Sequence, residues 1–347
     1  MWLSSSPADG SAIFCTGAGH PWAVAAGRSY FAVMSDYYAG GDDDPLAEHL
    51  PIIYRYLKPC IGFELDRQPA ALEASVGRSR FGGGPDVPTD FLWPRRRGVK
   101  LDFLLQVDLA EVAKFDPHGL FPHSGMLSFF FDLKRAPGAA DELNAKQIRV
   151  FHFLPGQLLR RQAPPHPEVE LEEAALVFWE SLTLPTEGAE FDELVAELDD
   201  GYLEWDTTQE TAYTDLCDDV FQQNSPHRRR YSNRLGGYAA LGHGDMQREA
   251  ELASRGVAPR EYVLRRRSAR AAWTMRDEDV REWTMLLQLD AERDLHLPGI
   301  EALHCWTPDA SLEKESLARA WATVYGYDEK WTTDWWRSRP GGGSSPE

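Results

Sequence analysis

The chain carries one signature twice. Ser79-Arg80-Phe81-Gly82-Gly83, followed by Phe103-Leu104-Leu105-Gln106-Val107-Asp108, returns as Asn233-Arg234-Leu235-Gly236-Gly237, followed by Met285-Leu286-Leu287-Gln288-Leu289-Asp290. Two blocks repeated in one order predict an internal duplication. Duplicated units tend to pack about a pseudo-twofold axis, so the architecture is constrained before any single residue is interpreted. The copies differ in spacing. Arg80 to Gln106 spans 26 residues and Arg234 to Gln288 spans 54, which places an insertion in the second.

Around these blocks the apolar residues fall in short runs bounded by polar residues, Pro or Gly, the pattern of strands. Strands are expected over 103–109, 125–132, 147–154 and 175–184. Helices are expected over 191–198, 212–222, 245–255 and 312–321. An earlier helix is expected to start behind Asp42, Asp43 and Asp44, with Pro45 in its first turn and Pro51 interrupting it before 52–57. The fold class is therefore α+β, with mixed or mainly antiparallel sheets from two internally duplicated units and flanking helices. Residues 1–75 form an N-terminal extension with a helix packing on the core, and 76–337 form the duplicated domain. Its units are 78–155 and 231–327, joined by an acidic connector at 162–227, and 338–347 is a disordered Gly/Ser/Pro tail.

Hydrophobic residues make up 43% of the 347 and aromatics 12%, enough for a packed core. The net charge of −19 is concentrated: no Lys or Arg lies between Arg161 and Arg228, while eighteen Asp and Glu fall from Glu168 to Asp219. Triple-arginine runs at 95–97, 228–230 and 265–267 have no nucleic-acid motif around them. In so acidic a chain they are expected to pair with the acidic segment or to be solvated, with no nucleic acid bound. Cys15, Cys60, Cys217 and Cys305 are dispersed without a C-x-x-C pair, as suits free thiols in a reducing cytoplasm. No signal-peptide pattern opens the chain and no apolar run reaches the ~18 residues of a membrane span. A cytoplasmic protein without a membrane partner is expected.

Strand alternation places Gln106 with Asp108, and Gln288 with Asp290, on equivalent faces. An amide and a carboxylate two residues apart can bind a ligand. The alternative for Asp108 is a helix cap, with Glu111 completing a capping box, and Asp290 can do the same. A Gln inside an apolar strand must find partners, and the backbone of the Gly-Gly turns or a ligand can supply them. Arg80 and Arg234, each beside a glycine pair, offer either a fork for an anion or a structural bond to the Asp of the same unit. Phe81–Pro85 lacks the phosphate-loop pattern, and its glycines read as a turn at positive φ. His118, His123, His243 and the adjacent His304-Cys305 lack metal-ligand spacing, and there is no G-x-S-x-G elbow. No metal, cofactor or standard catalytic class is indicated.

The blocks carry a family likeness. Ser79–Gly83 with Pro85 and Pro88, Trp93-Pro94, Phe103–Asp108, Gly125–Phe130, Ser181–Pro185, Leu235–Tyr238 and Leu286–Asp290 resemble, in order, the YwqG-like family, a bacterial domain of unknown function. The resemblance covers roughly 75–330 and implies a cytoplasmic α+β protein with mixed or antiparallel sheets, and brings no established catalytic residues. The chain departs from that pattern after Asp290, where Ile300–Trp306 stands in place of a Gly-rich strand ending in aromatics.

Two functional expectations follow. One is a non-catalytic binding module whose acidic segment takes a basic protein partner, with neutralisation of a toxin (an immunity-like role) as one possibility. The other is a small-molecule or enzymatic site between the duplicated units around Arg80, Gln106, Arg234 and Gln288.

Overall fold

We describe the chain from a computed structural model, which defines residues 44–68, 76–133, 147–157, 159–164, 171–198, 207–226, 232–240, 246–255, 280–291, 295, 297, 300–308 and 317–325. The expectations for residues 1–43, the arginine runs at 228–230 and 265–267, His243 and the tail lie outside these residues.

A short helix α1 (Leu50–Ile53) opens the described chain and continues as a 3-10 turn, Tyr54–Tyr56. Pro51 does not interrupt a longer helix but sits in the first turn of α1, where its missing N–H has no helical partner to lose. Strand β1 (Lys58–Asp66) follows, then four short strands, β2 (Arg80–Phe81), β3 (Asp86–Pro88), β4 (Arg95–Arg96) and β5 (Val99–Lys100). Next come β6 (Asp102–Asp108), the short helix α2 (Leu109–Val112), β7 (Met126–Phe131), β8 (Ile148–Phe153) and β9 (Leu159–Arg161). The connector holds β10 (Ala174–Thr183), α3 (Ala189–Leu198) and α4 (Thr207–Gln222). β11 (Arg234–Gly236), α5 (Met246–Ser254), β12 (Trp283–Asp290), β13 (Ala302–Pro308), a 3-10 turn Leu317–Arg319 and β14 (Trp321–Tyr325) complete it. The strands expected from apolar runs are β6, β7, β8 and β10. The expected helices of the connector and insertion are α3, α4 and α5.

Ten strands form one antiparallel sheet in the order β14-β13-β12-β11-β1-β10-β2-β6-β7-β8. Its end strands β14 and β8 approach each other, so the sheet is nearly closed into a barrel. Strand β1 lies in the middle, paired along its whole length with β10 and also with β11. Residues 58–66, expected to belong to an N-terminal extension, are thus integral to the sheet. Their alternation of Ile61, Phe63 and Leu65 with Gly62, Glu64 and Asp66 is that of a strand with two distinct faces. Of the expected helix over 312–321, residues 312–316 lie outside the described residues, and the rest is a 3-10 turn at Leu317–Arg319 followed by β14. That strand is held to β13 by its ladder and by Trp306 Nε1–H donating to Thr323 Oγ1 at 2.8 Å. The segment after Asp290 that departs from the family pattern is β13, which pairs fully with β12.

The registers are matched on the two sides of the β1–β10 pair. Glu64 faces Val177, and on either side of this pair Gly62 faces Trp179 and Asp66 faces Ala175. Arg80 of β2 pairs with Ala175 and Gln106, and Arg234 of β11 pairs with Gly62 and Gln288. The β6–β7 ladder shifts between Phe103 and Leu105, and the β12–β13 ladder shifts between Met285 and Leu287, three and one residues before each glutamine.

The main core includes Ile61, Phe63, Leu105, Phe129, Leu176 and Leu287, all under 10% exposed, and draws on strands from both halves of the sheet. At about 1.5–3 kcal/mol for each large apolar side chain removed from water, this interior dominates stability. Smaller clusters cover the other face: Trp93, Phe103 and Phe130 near β3, and Met246, Trp283, Met285 and Trp306 under α5. A further cluster joins α1, α3 and α4 to the end of β10 through Ile53, Leu182, Leu194 and Leu216. No helix among the described residues is long and apolar enough to cross a membrane.

Candidate functional site

Residues paired across neighbouring strands share a face, so the ladders define two rows opposite the main core. One runs Asp66, Ala175, Arg80, Gln106, Ser128; the other runs Trp179, Gly62, Arg234, Gln288, His304, Thr323. Each row brings one arginine to its glutamine. The rows do not meet: they cross β1 at Asp66 and Gly62, four residues and roughly 13 Å apart at ~3.3 Å per residue.

In the first row Arg80, 1% exposed, forms a salt bridge to the fully buried Asp86. Asp86 also accepts from Gly77 N–H at 2.8 Å and from Gln106 Nε2 at 2.8 Å, and Arg161 Nε lies 3.3 Å from its other oxygen. Glu173 stands 3.7 Å from Arg80 and 3.1 Å from Arg161. Gln106 spends its remaining capacity on Arg78 C=O at 2.7 Å and Asp86 N–H at 2.8 Å. Burial pushes the Asp86 carboxyl above its ordinary range, against the hydrogen bonds from Gly77 and Gln106, which pull it down. The structural partner of Arg80 is therefore Asp86 and not Asp108.

The second row repeats the backbone part of this arrangement. Gln288 Oε1 accepts from Ala240 N–H at 2.8 Å and from Arg234 Nη2 at 3.1 Å, while its Nε2 donates to Ser232 C=O at 3.0 Å. Position 240 is six residues beyond Arg234, as 86 is beyond Arg80, and it holds Ala in place of Asp. Among the described residues Arg234, 4% exposed, has no carboxylate within ion-pair distance. The Phe221 ring of α4 covers it, with Cζ 5.0 Å from the ring centroid. Burial draws the Arg234 pKa down from its usual value. It also pushes the nearby Cys60 and Cys217 thiols up to about 12, so neither is a thiolate at neutral pH.

The glutamines thus bond the backbone that flanks the Gly-Gly turns, not the glycines expected to serve them. Gly82, Gly83, Gly236 and Gly237 all have φ between 60° and 79°, which favours residues without a Cβ. Asp108 caps α2 by accepting from Ala110 N–H at 3.1 Å. The expected capping box does not close. Glu111 reaches Ser79 N–H at 3.2 Å and Arg78 at 2.6 Å, and Asp108 N–H donates to Ser79 Oγ at 2.8 Å. Asp290 is buried, with its N–H donating to Asn233 Oδ1 at 2.8 Å, the counterpart of the Ser79 bond. Of the first arginine run, Arg96 pairs with Asp132 at 3.0 Å, outside the acidic connector, and Arg97 makes the β4–β5 turn at φ 47°. Asp116 accepts from Leu120 and Phe121 N–H at 2.9 Å each, a loop-closing role. Asp86, Arg161 and Glu173 were not foreseen; the signal for Asp86 was a carboxylate six residues beyond the repeated arginine.

Helices α3 and α4 bury Leu194, Leu198, Tyr213 and Leu216 and turn Asp192, Glu197, Glu210, Asp215, Asp218 and Asp219 outward. Glu197 pairs with Arg55, and Glu193 with Arg281 at 2.7 Å. Among the described residues no group of three or more His, Cys, Asp or Glu is placed to hold a metal ion.

No curated protein matches the chain. A family model described as a domain of unknown function, DUF1963, matches residues 79–324, a span that takes in both arginine–glutamine pairs and leaves β1 outside. On that match over most of its length, the chain belongs to the DUF1963 family.

Proposed function

We propose that this protein is a cytoplasmic protein-interaction module that takes a basic partner on the acidic face of α3 and α4. The observation that carries this reading is that Asp192, Glu210 and Asp215 are all exposed on helices anchored by buried Leu194 and Leu216. Like charges held rigidly on one face steer an oppositely charged protein and speed encounter. A basic toxin or effector neutralised by capture is one such partner. The arginine–glutamine pairs are read as groups that hold the sheet, because their hydrogen bonds return to their own chain.

The architecture behind that face we infer to be a duplication with strand exchange. In chain order, β1-β2-β6-β7-β8 is one unit and β10-β11-β12-β13-β14 the other, and each first strand pairs with the second strand of the opposite unit. Support comes from the registers centred on Glu64–Val177, from the paired bulges, and from the equivalent bonds of Gln106 and Gln288. Within the matched family we place the chain in the YwqG-like group, on the blocks between Ser79 and Asp290.

The test compares wild type with an Asp192→Lys/Glu210→Lys/Asp215→Lys variant as bait, at low and moderate salt. Captured proteins are identified, purified and titrated back. A basic protein held by wild type in low salt, released by added salt and not retained by the variant supports the proposal. Equal affinity of the purified protein for both baits overturns it.

A further inference from the structure

At the start of β1 the surface opens into a small cleft between the turn at Tyr238, the start of α3 and the helix α5, with Lys58, Glu190, Tyr238, Met246, Met285 and Trp306 in its walls. Glu190 belongs to the first turn of α3 and is only 6% exposed. Among the described residues its carboxylate has no hydrogen bond or ion pair. The side chain is largely buried while its carboxylate lines the open cleft, and a carboxylate held in such a wall without a donor is open to a counter-ion.

The rest of the wall suits one kind of counter-ion. Trp306, Met246 and Met285 are buried and supply polarizable aromatic and thioether surface. The Tyr238 ring already has Lys58 Nζ 4.9 Å from its centroid, which shows its face oriented to receive positive charge. The Tyr238 hydroxyl is held far above its ordinary pKa by burial and by Glu190, so it remains neutral. Glu187 also lines the cleft, so its walls hold two carboxylates, Glu187 and Glu190, and one ammonium, Lys58. An anion would be repelled, and a hydrated divalent ion would find too few carboxylates. A flat or elongated organic cation meets both the charge and the aromatic wall.

We propose that this cleft is a socket for the guanidinium or ammonium tip of one Arg or Lys side chain of the basic partner, with Glu190 as counter-ion and Tyr238 and Trp306 as walls. The inference deepens the interaction reading above and rests on it for the source of the side chain. The helix face supplies long-range attraction, and the socket supplies the one buried charge that fixes where the partner sits. Such anchors are typically single Arg or aromatic residues surrounded by weaker contacts.

The experiment uses the full chain with Nα-acetyl-arginine amide and Nα-acetyl-lysine amide as probes and Nα-acetyl-norleucine amide as the uncharged control, titrated by ligand-observed NMR. Thermal melts establish that each variant is folded. Wild type is expected to bind at least one cationic probe and not the control. Glu190→Gln, which keeps the shape, is expected to weaken that probe at least tenfold. Lys58→Met, which removes the competing ammonium, is expected to strengthen it severalfold. Binding of the control as well as the cations, or equal affinity in wild type and Glu190→Gln, or weakening by Lys58→Met, overturns the socket. The triple helix-face variant separates the two proposals. Probe binding within twofold of wild type alongside lost partner capture supports both. Absent probe binding with partner capture still dependent on the helix face removes the socket alone, and probe binding with capture indifferent to that face removes the helix-face reading alone.

Discussion

Asp86 and Ala240 donate the same backbone hydrogen bond, from N–H to the Oε1 of Gln106 and of Gln288, at 2.8 Å in each case. Only Asp86 has a carboxylate with which to neutralise its buried arginine. One row of the sheet is thus a closed ion-pair network, while the other buries a guanidinium against Phe221 and an amide oxygen.

That asymmetry sets opposite outcomes for equivalent substitutions. Arg80→Met leaves Asp86 buried beside a single, part-exposed Arg161 and is expected to cost about 3–5 kcal/mol in urea unfolding. Arg234→Met removes a buried charge that has no carboxylate partner among the described residues and is expected to cost under ~1 kcal/mol. Equal losses would show that the two arginines have equivalent surroundings after all.

Ala240→Asp supplies the missing partner. A charge-assisted hydrogen bond contributes about 1.5–3 kcal/mol, so a gain in that range is expected for wild type and none in the Arg234→Met background. The double-mutant cycle isolates the pair. A gain that persists without Arg234 would assign the effect to something else.

Gly62 lies across from Trp179 and beside Arg234, and a Cβ at this position would overlap the Trp179 indole. Gly62→Ala is expected to destabilise by about 1–3 kcal/mol. Most of that loss should return in Gly62→Ala/Trp179→Leu relative to Trp179→Leu alone. Strictly additive losses would remove the clash as the cause.

His304 donates Nε2–H to Ala240 C=O at 2.8 Å and is fully buried. Burial lowers its pKa from 6.5 to about 4, with the Arg234 charge acting in the same direction. The unfolded chain therefore binds the proton first. The stability contributed by keeping the ring neutral is complete above about pH 6.5 and declines as the pH falls from there to about 4. Between pH 7 and 5 the loss is about 2 kcal/mol at ~1.4 kcal/mol per pK unit. His304→Gln should flatten this component, and a variant with the wild-type slope would locate the titration elsewhere.

A fragment starting at residue 76 contains the whole matched family span but lacks β1. Because β1 separates β10 from β11 in the sheet, the fragment is expected not to fold cooperatively by thermal denaturation. A synthetic peptide of residues 44–68 added in trans should restore the transition. A cooperative melt of the fragment alone would mean that β10 and β11 close the gap without it.

Much of this architecture was legible from local chemistry. Short apolar runs marked β6, β7, β8 and β10, and the glycine pairs marked turns at positive φ, because burial and the lack of a Cβ act on a residue wherever it sits. The repeated Arg and Gln were legible as polar groups in need of partners. Their partners were not, since Gln106 reaches back 28 residues to Arg78 and Gln288 reaches back 56 to Ser232. Strand β1 is not among the expected strands, because Pro51 and the tyrosines before it mask the alternation that runs from Ile61 to Asp66.

By itself the sequence determined the strands β6, β7, β8 and β10, the glycine turns, and that two glutamines inside apolar strands would need hydrogen-bond partners. Only the tertiary structure decided that β1 and β10 lie side by side at the centre, that the polar rows stay apart, and that Glu190 lines one cleft with Tyr238 and Trp306. The reason is physical: periodicity and propensity act between neighbours in the chain, whereas strand order and the pairing of charges depend on which distant segments exclude water together.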